Sequence, residues 1–344
     1  MAAMTFAFAN GASESGAKSS GKTIELKVST SQTEQAMISR SYQMFCDKLN
    51  EKAQGKIHAT LYPAGQLGGD EDVIEQAIQG APIAVNTDAA RMGTYVHDMG
   101  IMMMGYFMDD YDMALKITQT ATFKKWTDEL ASKHGIRVLA FDFYDGPRHF
   151  LTNKEIKTPA DLKGLSIRTI GSPVCTESIA AMGATPIAMS WGEVYNGIQS
   201  KAIDGAEAQD TSTYPSKLYE VCKYMTKTGH FQLMQGLIVG ESWFKTLPSD
   251  VQTLLVETAQ EVGAETAKMV LDEAAKSEKL MADAGMVINE VDTAPFKAAV
   301  ASAYDKLGYA ELRKQIYAEL GKKRVVSRRA GRMPACPRFF LYLL

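Results

Sequence analysis

The feature that most restricts the fold of this chain is a helical pattern of more than thirty residues that opens at Ser249-Asp250-Val251-Gln252 and runs toward Ala284. Gly285 stops it. Helices in globular domains average about 11–12 residues, so this one is too long for a single compact unit and suits a brace laid across two lobes, straight or bent near Gly263. Its first four residues read as a capping box, serine and glutamine satisfying the free amides of the first turn. At 344 residues, 46% of them hydrophobic, the chain has the material for two cores.

Ahead of that helix the hydrophobic period switches repeatedly between 2 and 3.6. Ile24 to Ser29 reads as a strand, and Ile38, Tyr42, Phe45 and Leu49 form an i, i+4, i+7 stripe on a helix that ends at Gly55. Ile57, Ala59 and Leu61 alternate as a second strand. After the turn-rich Pro63 to Gly69, Asp70 is placed to cap a helix through Gln79, and Ile83 to Asn86 gives a third strand. This β-α-β-α-β order is the start of an open α/β layer. The same grammar resumes with a buried strand at Ile136 to Phe143, a helix opened by Thr158-Pro159, and a strand at Leu165 to Ile170. Ser172-Pro173 starts the next helix and Gly183 closes it. Ser190-Trp191-Gly192-Glu193 reads as a further capping box, and Asp204-Gly205 turns the chain into a strand at Ala206.

Composition excludes several classes. No run of 18 apolar residues occurs, so nothing in the sequence is long enough for a membrane-spanning helix. Seven of the 37 basic residues follow Gly321, leaving 30 against 40 acidic ones in the rest, a balance that disfavours nucleic acid as a partner. Cys46, Cys175, Cys222 and Cys336 show no C-x-x-C spacing and the five histidines no H-x-x-x-H pair, so no metal or cofactor is expected. Three of the cysteines read as small core residues. The first strand runs into Thr30-Ser31-Gln32 without the glycines of a dinucleotide fingerprint, G-x-S-x-G is absent, and no catalytic residue is assigned. Met1 to Ala9, ending Ala7-Phe8-Ala9, reads as the back of an export signal, followed by a leader to Lys22; a frayed cytosolic terminus is the other reading. Residues 322–344, basic and closing on an apolar hexapeptide, read as a disordered or non-native tail.

Arg168 is the most informative side chain. It stands late in a short apolar strand, just before a Gly171-Ser172-Pro173 turn into a helix, and ligands of open α/β sheets bind beyond the carboxyl ends of strands. A guanidinium there can hold a carboxylate through two parallel hydrogen bonds. Spacing alone leaves a rim ion pair equally open. Arg148, in Asp145-Gly146-Pro147-Arg148-His149 after another strand end, offers a second charge to the same crevice or is an arginine of a surface loop.

Leu165 to Gly205 contains, in order, strand-Arg-x-x-x-Ser-Pro, Met-Gly-Ala-Thr-Pro, Trp-x-Glu-Val-Tyr and Asp-Gly-x-Glu. This string resembles the signature region of the DctP-type solute-binding subunits of TRAP transporters, and similarity extends over roughly Thr23 to Gly321, including Pro63 to Gly69 and Leu247-Pro248. The resemblance implies a two-lobed α/β fold of the periplasmic-binding-protein kind with a long helix bracing both lobes. Lobe I would be 23–145 plus 234–272, and lobe II 146–233 plus 273–321. It implies an exported, periplasmic monomer that closes on a small organic carboxylate, performs no chemistry and hands its ligand to the membrane subunits of the transporter. Arg168 matches the family's carboxylate-binding arginine, Arg148 a second arginine used by some members, Trp191 the aromatic packed on the ligand, and Asp88 a first-lobe position that bonds hydroxyls.

One departure matters. Where some members have asparagine after Asp-Gly-x-Glu, this chain has Ala208, so the missing contact falls to Gln209, Asp210, Tyr214 or a water. Glu207 is read either as a cleft residue or as the partner of a nearby base. Glu193 is explained by capping. Met102-Met103-Met104 reads as core more than pocket. The polar groups of Asp88, Gln209, Asp210 and Tyr214 favour a sugar acid, with a C4-dicarboxylate, a keto or aromatic acid, or a sensing role beside a signalling partner as the alternatives.

Overall fold

The computed structural model describes residues 23–321; the leader and the basic tail with Cys336 lie outside the described residues. The strands are β1 (Ile24–Ser29), β2 (Ile57–Tyr62), β3 (Ile83–Asp88), β4 (Ile136–Thr152), β5 (Ser166–Thr169), β6 (Thr185–Ala188), β7 (Gly205–Ala208), β8 (Tyr224–Gly240) and β9 (Val287–Glu290). They form one sheet in the order β2-β1-β3-β8-β4-β7-β5-β6, with β9 on the free side of β8. β1 runs parallel to β2 and β3, as the intervening helices Met37–Ala53 and Asp70–Ile78 require of crossover connections. β5 runs parallel to β6 and β7 and belongs to the second layer.

Two strands of 17 residues, β4 and β8, pass through both layers. The start of β4 pairs with the end of β8 beside β3, Ile136 opposite Gly240, and the end of β4 pairs with β7, His149 opposite Ala208. The result is two α/β lobes sharing a pair of antiparallel strands. The sequence places a strand end before Asp145, and this is corrected: β4 continues through Gly146-Pro147 to Thr152. Register shifts between Tyr144 and Gly146 and between Arg148 and Phe150 absorb the irregularity, with Gly146 at φ +104°. Bulges are where a sheet tolerates glycine and proline, so punctuation that normally ends a strand here only bends it.

The long helix is continuous over Ser249–Asp283, 35 residues, on the order of 50 Å. No break occurs at Gly263. A Cβ at that position would stand 1.9 Å from Oδ1 of Asp142, so the glycine lets the helix lie directly on β4. Neither capping box forms. The residue before the long helix is Pro248, and Gln252 Nε2 donates instead to Leu247 O at 2.9 Å. Trp191–Glu193 is a single 3₁₀ turn without a side-chain cap bond, and Thr158-Pro159 opens only the 3₁₀ turn Pro159–Leu162. Asp70 is the first helical residue, not the cap; Gly69 takes that position.

Three hydrophobic clusters fill the molecule. One lies under the helix Met37–Ala53, one under Trp191 and β7 in the second lobe, and the largest runs from lobe to lobe through Met102, Met103 and Met104. The methionine run is therefore core. Three tyrosine hydroxyls from the C-terminal helices hold its backbone: Tyr309 to His97 O at 2.6 Å, Tyr304 to Gly105 O at 2.9 Å and Tyr317 to Phe107 O at 2.8 Å. Cys46, Cys175 and Cys222 are buried and unpaired.

Candidate functional site

The carboxyl ends of β1, β3 and β5 open onto one narrow cavity between the lobes, the position expected of a ligand in an open α/β sheet. Gln32, Asp70, Asn86, Asp88 and Arg91 form the lobe I wall, and Arg148, Arg168 and Trp191 the lobe II wall, with Gln235 of β8 between them. A larger groove lies on the outside of lobe I between the helix Ala121–His134 and β4. Its basic groups are already engaged, Lys124 with Asp128 and Arg137 with Glu241, so the interlobe cavity is the better site. Among the described residues no cluster of histidine, cysteine or carboxylate side chains converges as a metal site.

Arg168 is 2% exposed. Its Nε donates to Met189 O at 2.8 Å and its guanidinium lies 5.4 Å from the ring centre of Trp191. Among the described residues no carboxylate pairs with it. Burial, and then the like charge of Arg148, lower its pKa to about 10, which still leaves it protonated at neutral pH. A buried cation without a counter-ion is costly, and a bound anion removes that cost. The rim ion pair left open by the sequence does not form.

Arg148 is in the opposite state. Far from lying in a surface loop, it is 3% exposed inside β4. Its Nε and Nη2 both reach the Glu207 carboxylate, the latter at 3.0 Å; Nη2 also donates to Glu207 O at 2.6 Å, and Nη1 donates to Gln209 Oε1 at 2.8 Å. Glu207 further accepts from Thr169 Oγ1 at 2.8 Å. Gln209 donates to Asp145 and Ser212, and Asp145 also accepts from Gln235 at 2.7 Å and Thr211 at 2.8 Å. Burial raises Asp145 to about 6 despite these bonds. The charge of Arg148 is thus locked by Glu207, 59 positions away in sequence.

Of the eight residues singled out from the sequence, Asp88, Arg148, Arg168 and Trp191 line the cavity; Glu207, Gln209, Asp210 and Tyr214 do not. Glu207 and Gln209 stand behind Arg148. Asp210 starts the short helix Asp210–Thr213, with Oδ2 3.9 Å from His149 Nε2, and burial followed by the charge of Glu278 raises it to about 7. Tyr214 stacks on Tyr219 with ring centres 5.3 Å apart. The reason is the alternation of β7: Glu207 points toward Arg148 while Ala208 packs in the second-lobe core, so the polar residues that follow never reach the wall. Trp191 Nε1 is anchored to Ser216 Oγ at 3.2 Å.

The lobe I wall holds residues that sequence reasoning missed. Asp88 caps the helix Ala89–Met92, accepting from Ala90 N at 2.8 Å and Arg91 N at 3.0 Å, and its other oxygen meets Arg91 Nη1. Arg91 also binds Asp70 at 2.8 Å through Nη2 and Glu71 at 2.9 Å through Nε. Tyr42 donates to Asn86 Oδ1 at 2.6 Å, which leaves the Asn86 amide hydrogens for other acceptors, and Gln32 Oε1 is buried without a partner. The i, i+3 pair Asp88–Arg91 and the Asp70-Glu71-Asp72 start of a helix after a glycine-rich loop were the available signals.

Residues 28–311 match the family model described as bacterial extracellular solute-binding protein, family 7 (DctP). A C4-dicarboxylate-binding periplasmic protein of Rhodobacter capsulatus is 30% identical over 70% of this chain and 72% of its own. Among solved structures, a TRAP periplasmic solute-binding protein of Ochrobacterium anthropi with bound L-fuconate is 31% identical and superposes with a TM-score of 0.84, over 87% of this chain and 99% of that one. Another, from Actinobacillus succinogenes with bound L-galactonate, is 29% identical with a TM-score of 0.83, over 87% and 100%. The family match spans most of the described residues and the superpositions span nearly the whole of the solved relatives, and the chain belongs to the DctP family of extracytoplasmic solute-binding proteins of TRAP transporters.

Proposed function

We propose that this protein captures a sugar acid outside the cytoplasm, as a monomer, and delivers it unchanged to the membrane subunits of its transporter. The observation that carries this reading is Arg168: a buried guanidinium with no carboxylate partner among the described residues, at the carboxyl end of a strand, on the wall of the interlobe cavity. A ligand carboxylate supplies the missing charge. Trp191 gives a flat apolar surface beside it, and Gln32, Asn86, Asp88 and Gln235 offer donors and acceptors to hydroxyl groups. The sugar acids held by the Ochrobacterium anthropi and Actinobacillus succinogenes proteins favour this class over a C4-dicarboxylate. Asp88 acts through one wall and Arg168 through the other, so the ligand bridges both lobes. Contact with both is what shifts a hinged protein toward its closed form. β4 and β8 are the hinge in this reading, with the lobes divided at 145/146, 233/234 and 272/273.

Thermal unfolding with a panel of aldonates, uronates and C4-dicarboxylates tests the proposal, followed by calorimetry and recovery of the ligand. The expected outcome is a rise in Tm with at least one sugar acid, micromolar or tighter binding, and a ligand of unaltered mass. No rise with any carboxylate, or a chemically altered ligand, overturns it.

A further inference from the structure

The two walls of the cavity differ in charge, and the difference limits what the far end of a ligand can be. On the lobe II wall the charge of Arg148 is cancelled by Glu207, so Arg168 leaves an excess of one positive charge. On the lobe I wall Arg91 is outnumbered. Its Nη2 meets Asp70, its Nη1 meets Asp88 and its Nε meets Glu71. Asp70, Asp88 and Arg91 are all largely buried, with side chains 9%, 5% and 14% exposed, so their charges are weakly screened; Glu71 is mostly in solvent.

We infer that the site takes hydroxylated monocarboxylates and rejects acids with a second carboxylate at the other end, the lobe I wall being the specificity element. This rests on the reading that Arg168 holds the ligand carboxylate. With that end fixed on lobe II, the rest of the ligand extends toward Asp70 and Asp88. Hydroxyl groups donate to those carboxylates at no electrostatic penalty. A second carboxylate placed there meets two like charges. Arg91 is no ready partner for it, because its single positive charge is already more than offset by Asp70, Asp88 and Glu71. Rejection by an opposing charge is how a site separates ligands that differ by one ionised group.

Paired ligands test this by calorimetry on the full chain: D-glucuronate against D-glucarate, and D-galacturonate against galactarate, each aldarate carrying a carboxylate where the uronate carries its ring-closing C1 aldehyde. The Asn variants separate the effect of charge from that of the ring. The wild type should bind at least one uronate about a hundredfold more tightly than its aldarate. In the variant carrying Asp70→Asn and Asp88→Asn, which keeps the shape and the helix cap, Arg91 is released to a second carboxylate and the preference should shrink about tenfold or reverse. Asp70→Asn alone should move it the same way, and serves if the double variant does not fold. Equal binding of uronate and aldarate by the wild type overturns the acidic-wall inference while leaving sugar-acid capture intact. An unchanged preference in a folded Asn variant also overturns it. Binding of neither class overturns both.

Discussion

The two walls of the cleft each hold a buried guanidinium group, and they hold it in opposite electrical states. On lobe I, Arg91 has three carboxylates; on lobe II, Arg168 has none among the described residues, while its neighbour Arg148 is locked to Glu207. A buried charge with its partners in place is part of the framework, and removing one member strands the others. A buried charge without partners waits for one from outside. Asp142 adds the third possibility: it is half-buried with no cation paired to it among the described residues, but a carboxyl group can take a proton, and burial raises it to about 7. Arginine has no such escape at physiological pH, so Arg168 depends on a ligand.

The largest expected effect separates the two arginines of lobe II. Arg168→Ala should weaken sugar-acid binding by about a thousandfold, on the order of 4 kcal/mol, while Tm without ligand stays level or rises. Arg168→Lys should also lose most affinity, since a point charge cannot reproduce the planar fork. Arg148→Ala should do the reverse. It leaves Glu207 charged and buried, so stability should fall by about 3–5 kcal/mol in urea titration, and Arg148→Ala combined with Glu207→Ala should recover part of the loss. If Arg148→Ala leaves Tm unchanged, the contrast between framework and binding arginine fails.

Gly263→Ala carries a smaller effect of unusual sign. In an exposed helix interior the change stabilises by about 1 kcal/mol. Here the new methyl group overlaps Asp142 Oδ1, so chemical denaturation should show a loss of about 2–3 kcal/mol. The smallest effect concerns pH. With a folded pKa near 7 against about 3.9 unfolded, folded Asp142 binds more protons than the unfolded chain across that window. Stability from this group therefore falls as pH rises from about 4 to 7, and Asp210, also near 7, adds in the same direction. Asp142→Asn should be more stable than wild type at pH 8 by about 1–2 kcal/mol, with the gap closing toward pH 4. A gap that widens on acidification contradicts the assignment.

How far the sequence reaches follows the same division. β1 to β3 with their crossover helices, the strand carrying Arg168 and the bracing helix all rest on local periodicity and local punctuation, and all are present. The second half of β4 was not legible, because Gly146-Pro147 is locally a turn and only pairing with β8 makes it strand. β8 escaped for a related reason: its polar Thr228, His230, Gln232 and Gln235 break the apolar pattern, although three of the four are buried. The position of Arg168 on the cavity wall was readable from its place at a strand end. The state of Arg148 was not, since Glu207 is brought to it by sheet pairing, and Gln209, Asp210 and Tyr214 were misplaced through the direction of β7. The pairing of Asp70, read from the sequence only as a helix cap, with Arg91 was not legible because it closes over 21 positions through the β3 crossover.

A crystal structure of the complex with the tightest-binding uronate, at neutral pH, tests the central claim most directly. The account predicts both carboxylate oxygens within about 2.7–2.9 Å of the Arg168 nitrogens, with Arg148 still on Glu207 and Arg91 still on Asp70 and Asp88. A ligand carboxylate seated on Arg91 or Arg148 instead, with Arg168 still without an anion, would contradict it.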